Sequence, residues 1–96
     1  MSAFLIFTRL ATKDPERLAA YGAKARDAAP GHTMKALIRY GETEVLEGDS
    51  AEGVMMLEFP SMEAARQFYF SDKYQEAKQL RDAGADYQVL LVEGLA

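Results

Sequence analysis

The sequence predicts an α+β fold: one antiparallel sheet of four strands with helices on a single face, in the order β-α-β-β-α-β. Three observations predict it. Four segments rich in β-branched, aromatic and long aliphatic residues alternate with segments whose apolar residues recur every three or four positions. Helix-start signals precede the helical segments. The first and third strands are apolar on both alternating sets of side chains, the pattern of a sheet covered on both faces.

Each element follows from its own residues. Ala3 to Leu10 (AFLIFTRL) is rich in β-formers and reads as the first strand. Lys13-Asp14-Pro15-Glu16 starts a helix: Asp14 suits the N-cap, Pro15 the first helical position, and Glu16 the positive end of the dipole. Leu18, Tyr21, Gly22, Ala25, Ala28 and Ala29 then recur at helical spacing until Pro30-Gly31 ends the helix. Gly22 costs this helix up to about 1 kcal/mol relative to Ala, and its place on the buried stripe predicts a close approach of helix to sheet. Thr33 to Tyr40 reads as the second strand, Gly41-Glu42 as a turn, Thr43 to Glu47 as a short extended piece, and Gly53 to Phe59 (GVMMLEF) as the third strand.

Ser61 caps the next helix, with Glu63 in its first turn. That helix carries three consecutive rings, Phe68, Tyr69 and Phe70. On a helical wheel Met62, Ala64, Ala65, Phe68 and Tyr69 share one arc, whereas Phe70 falls outside it. Phe68 and Tyr69 are therefore expected in the core, and Phe70 on a second surface or at a break. Ser71-Asp72 supplies that break, and a further helix runs from Lys73 to about Ala83, with Tyr74, Ala77 and Leu80 on one side. Tyr87 to Glu93 (YQVLLVE) is the last strand. Arg81, Asp82 and Asp86 read as caps or surface pairs.

This is the split arrangement called ferredoxin-like, and residues 1–96 are expected to form one such domain. Helices can cover only one face of its sheet. A second copy of the chain is the economical cover for the other, with two sheets about 10 Å apart, so the expected assembly is a homodimeric α+β barrel. The 49% of apolar and aromatic residues is ample core material for 96 residues.

Composition removes several functional classes. There is no cysteine, so disulfides, thiolate zinc sites and iron–sulfur clusters are excluded. The net charge is −4 and the 11 Lys and Arg residues are scattered, which argues against nucleic acid as a partner. The apolar run Ala3 to Phe7 is too short for a signal-peptide core and no basic residue precedes it. No run approaches the roughly 18 apolar residues of a membrane span. A cytoplasmic protein is expected. No metal-ligand cluster and no glycine-rich phosphate loop occurs, so neither metal nor cofactor is expected.

Glu44-Val45-Leu46-Glu47-Gly48-Asp49, Leu57-Glu58-Phe59-Pro60-Ser61 with Ala64-Ala65-Arg66, then Tyr69, Ser71, Tyr74 and the closing Leu91-Val92-Glu93-Gly94 resemble a family of small bacterial proteins known as domain of unknown function 1330. The resemblance covers nearly the whole chain and is strongest from Glu44 to Tyr74. It implies the dimeric α+β barrel architecture, whose relatives include cofactor-free monooxygenases, muconolactone isomerases, haem-dependent peroxidases and stress-related proteins. The chain departs from the family pattern in one respect. The family tends to carry a Gly pair before the second strand and Arg-Gly-Gly after it, where this sequence has Thr33-Met34 and Arg39-Tyr40-Gly41. If those glycines open a pocket mouth, the mouth here is narrower or differently shaped.

Among candidate site residues, Glu58 stands late in an apolar strand, where a carboxylate is either paired or raised in pKa. Arg39 is the expected partner across the hairpin. The pair is either an ion pair that fixes register or a general base and clamp at a pocket mouth. Tyr21, Tyr69 and Tyr74 offer large apolar bodies with polar tips, for core packing or for a ligand wall that includes Phe68. His32, the only histidine, is solvated, a general base near neutrality, or a haem ligand, the last without the surrounding pocket signals such a site carries. Two functional classes follow. One is a protein that binds a small apolar or aromatic molecule. The other is a cofactor-independent enzyme, isomerase or monooxygenase-like, acting on a small aromatic or lactone compound, with Glu58 or His32 abstracting a proton and Arg39 stabilising the anion.

Overall fold

The computed structural model describes residues 1–95 and places β1 (Ala3–Thr12) at the centre of a four-stranded antiparallel sheet. β1 pairs on one side with β3 (Gly53–Phe59) and on the other with β4 (Ala85–Glu93). β2 (Lys35–Arg39) closes the sheet beyond β3, giving the ferredoxin-like order β2-β3-β1-β4. Strands β1 and β4 run two residues further than the sequence reading placed their free ends. β2 is shorter than Thr33 to Tyr40, and Thr43 to Glu47, expected as an extended piece, forms no strand within an exposed connection.

The helices start where their caps predict. In α1 (Pro15–Ala28), Asp14 Oδ1 accepts hydrogen bonds from the backbone N–H groups of Glu16 and Arg17 at 3.1 and 3.3 Å. In α2 (Met62–Tyr69), Ser61 Oγ accepts from Ala64 N–H at 3.0 Å. The break lies at Ser71-Asp72. Ser71 Oγ donates to the Phe68 carbonyl at 2.7 Å and accepts from Tyr74 N–H at 3.2 Å, so one hydroxyl ends α2 and opens α3 (Asp72–Gly84). Phe70 sits at this corner and is 67% exposed.

All three helices lie on one face of the sheet. Ala3, Leu5 and Phe7 of β1 and Leu57 and Phe59 of β3 point to them and are buried. They meet Ala65 and Phe68 of α2 and Tyr74 and Ala77 of α3. Ring centroids of Phe68 stand 5.6 Å from Phe59 and 5.0 Å from Tyr74, the spacing of favourable aromatic pairs. The expected close approach at Gly22 is a correction: a Cβ there would have only Arg26 Nη1 nearby, at 3.8 Å. The close approach is made by Gly84, where a Cβ would lie 2.7 Å from the backbone nitrogen of Leu18, so α1 and α3 cross in near contact.

On the opposite face the alternate residues Phe4, Ile6, Val54, Met56, Leu90 and Val92 form an apolar surface that no described element covers. Leu90 and Val92 are 46% and 43% exposed. Among the described residues, no helix is long and apolar enough to cross a membrane.

Candidate functional site

On the helix side a cavity of about 420 Å³ lies between α1 and the β2–β3 half of the sheet. Phe7, Met55 and Leu57 form its floor, and Tyr21, Gly22 and Ala25 of α1 its roof. Gly22 therefore provides room rather than contact. Phe68 and Tyr74 close the inner end. The exposed Arg26 and Arg39 line it too, with Met34 and Tyr40, and no carboxylate does.

A polar cluster adjoins the inner end. Arg81 is 4% exposed and lies on the same face of α3 as Tyr74, one heptad away. Its Nη1 donates to the Tyr74 hydroxyl at 2.8 Å and its Nη2 to the Tyr69 hydroxyl at 3.3 Å. The Tyr74 and Tyr21 hydroxyls share a 2.8 Å hydrogen bond. The guanidinium carbon stands 5.4 Å from the Tyr87 ring centroid and 5.9 Å from those of Phe7 and Tyr21. Arg81 Nε has no hydrogen-bond partner. The nearest carboxylate belongs to Asp82, at 3.8 Å, and the other oxygen of that group takes Lys78 at 2.7 Å.

The Tyr74 and Tyr21 phenols are held neutral by burial. Burial pushes the Tyr74 hydroxyl far above the ordinary phenol range, and burial raises Tyr21 as well, against the lowering effect of its bond to Tyr74. Tyr40 is raised by burial and by its 2.8 Å hydrogen bond to the Tyr87 hydroxyl. Tyr40 has φ 53°, the left-handed conformation that glycine adopts freely and a bulky residue rarely does. It packs against Gly53, where a Cβ would meet its ring at 3.1 Å, and Arg9 lies over its ring at 4.9 Å. Met34 and Tyr40 both reach the cavity.

Of the residues expected at the site, Tyr21, Arg39, Phe68 and Tyr74 line this one cavity. Tyr69 joins it through Arg81 and itself lines a smaller groove of about 300 Å³ beside Phe70. His32 packs edge-on against Phe68, with centroids 5.5 Å apart, and is not part of the lining. Glu58 is a correction. It alternates with Met55, Leu57 and Phe59 and shares the open face with Val54 and Met56, on the far side of the sheet from the cavity. Its neighbour on β2 is Lys35, and Arg39 lies opposite Met55. A bulge between Ala36 and Ile38 causes this: the extra residue moves Arg39 from the open face to the helix face. Arg81 is a second correction. Asp82 and Asp86 do make surface pairs, with Lys78 and Lys13, but Arg81 is buried.

A family model described as a domain of unknown function, DUF1330, matches residues 2–95. A protein of unknown function from Rhodopseudomonas palustris superposes with a TM-score of 0.73 at 21% identity, over 99% of this chain and 83% of that one. A dimeric ferredoxin-like protein of unknown function from Jannaschia sp. gives a TM-score of 0.77 at 12% identity, over 98% of this chain and 100% of that one. A cofactor-independent oxygenase from Streptomyces nogalater gives 0.66 at 9% identity, over 99% of this chain and 94% of that one. These likenesses establish the shared fold. No curated protein matches the chain.

Proposed function

The chain belongs to the DUF1330 family, and from that premise we propose that it acts as a homodimer in which each subunit binds one small apolar or aromatic molecule between α1 and the sheet. The observation that carries this reading is the cavity itself. Its volume of about 420 Å³ falls within the usual range of small-ligand sites, and its wall is apolar and aromatic with a few polar groups. The dimer is supported by the uncovered apolar face, which two copies would bury sheet against sheet, and by the dimeric state of the Jannaschia protein.

A second reading is a cofactor-independent enzyme, isomerase or monooxygenase-like, acting on a small aromatic or lactone compound. The buried Arg81–Tyr74–Tyr21 chain favours it, because preorganised donors beside a largely apolar cavity stabilise developing negative charge on oxygen. The fold shared with the Streptomyces oxygenase supports the same reading.

Native mass spectrometry of freshly purified protein tests the first reading. The expected result is a dimer, carrying a small extra mass or taking up one aromatic molecule per subunit on titration. A monomer that takes up no aromatic compound would overturn it. Turnover of a bound compound without added cofactor would favour the second reading.

A further inference from the structure

We propose that the cavity's ligand carries an anionic or acidic oxygen (a carboxylate, phenolate or enolate) on its apolar body, held by a hydroxyl of the Tyr21–Tyr74 pair that Arg81 polarises. This rests on the binding role proposed above and goes further by naming the ligand's chemical class.

The inference follows from counting hydrogens. Arg81 donates to Tyr74, so one lone pair of the Tyr74 oxygen is taken. The bond between the two phenols uses one of their two hydroxyl hydrogens, whichever phenol donates. One hydroxyl hydrogen is left without an acceptor among the described residues, and both tyrosines line the cavity. A phenol whose oxygen accepts from a guanidinium, directly or through its neighbour, is a stronger donor than an isolated one.

Charge points the same way. Arg81 is a buried cation whose short contacts are all to neutral hydroxyls, and its Nε is unpaired. Its carboxylate neighbour, Asp82, is more than half exposed and already held by Lys78. Buried cations ordinarily have an anionic partner. The aromatic rings around Arg81 supply part of the compensation and no counter-charge. The cavity adds Arg26 and Arg39 and contributes no carboxylate, so its whole field favours an anion.

The test uses two probes of one shape, 4-nitrophenol and 4-nitroanisole, the second with its acidic hydrogen replaced by methyl. Binding is measured by equilibrium dialysis, and the ionisation of bound 4-nitrophenol by its phenolate absorbance at a fixed pH. The expected result is that wild type binds the phenolate at least about tenfold more tightly than the ether, and that the pKa of bound 4-nitrophenol falls by about one unit, the shift given by a tenfold preference for phenolate over the neutral phenol. Tyr74→Phe and Arg81→Met should each remove that preference while still binding 4-nitroanisole. Tyr74→Phe, which deletes one oxygen, carries the test if Arg81→Met does not fold. Equal affinity for both probes in wild type would overturn the inference and leave the binding role standing. So would a preference that survives Tyr74→Phe but is lost in the Arg26→Gln, Arg39→Gln double variant, since the anchor would then lie with those two arginines. If neither probe binds, the inference falls together with the reading beneath it.

Discussion

The two faces of the sheet are made of similar side chains and meet different fates. Toward the helices, Leu5, Phe7, Leu57 and Phe59 are closed over by Ala65, Phe68, Tyr74 and Ala77. The gap left there is a cavity bordered by tyrosines and arginines. Away from the helices, Phe4, Ile6, Val54, Met56, Leu90 and Val92 are as apolar, and no described element covers them. Polarity marks the difference. The helix face has a buried guanidinium and its phenols, whereas the open face has Glu58 near its edge, beside Lys35. One face holds a cavity of about 420 Å³. The other is an apolar surface open over three neighbouring strands, the face that the proposed dimer would bury.

Four substitutions would break or sharpen this contrast. The largest effect is expected on the closed face. Phe68 is 2% exposed and packs on Phe59 and Tyr74, so Phe68→Ala should cost about 3–5 kcal/mol in urea unfolding. A loss below about 1 kcal/mol would mean that the ring is not core. On the open face, Ile6→Lys should weaken the proposed dimer by about 3 kcal/mol, roughly a hundredfold in its dissociation constant by analytical ultracentrifugation. An unchanged dimer would place the interface elsewhere. Tyr74→Phe removes the acceptor of Arg81 Nη1 and should cost about 1–3 kcal/mol in the same unfolding assay, less than the loss of a whole ring. The smallest effect belongs to Glu58→Gln, expected within about 0.5 kcal/mol of wild type in stability. Ligand affinity in the cavity should not change, because the sheet lies between. A loss of ligand binding would show that the two faces communicate.

The fold was legible in the sequence because its signals are local. Asp14-Pro15, Ser61 and Ser71 start helices wherever they stand, and three of them sit where their chemistry predicts. The site was legible in part. Tyr21, Phe68 and Tyr74 follow from helical periodicity, which brings them inward together. Glu58 was misplaced because both alternating sets of β3 are apolar, so parity says which residues share a face but not which face meets the helices. Arg39 lines the cavity as expected but not as the partner of Glu58, because the register sets Lys35 opposite Glu58; the one-residue bulge that turns Arg39 to the helix face leaves no composition signal. Arg81 was read as a surface residue because Asp82 follows it. The signal that would have found it is its seven-residue spacing from Tyr74, with Ala77 and Gly84 on the same stripe. Tyr40 left no trace, since a left-handed tyrosine is recognisable only from the backbone.

Gly22 has an evolutionary consequence. Alanine at that position would meet only the tip of Arg26, at 3.8 Å, and would strengthen α1 by up to about 1 kcal/mol. A more stable chain thus lies one codon change away, and what that change would fill is the cavity roof. For the ligand proposed above, the size limit would shift by single steps at a helix position where a Cβ meets no atom of the sheet within 4 Å. Each larger residue there would trade ligand size for helix stability without remaking the fold.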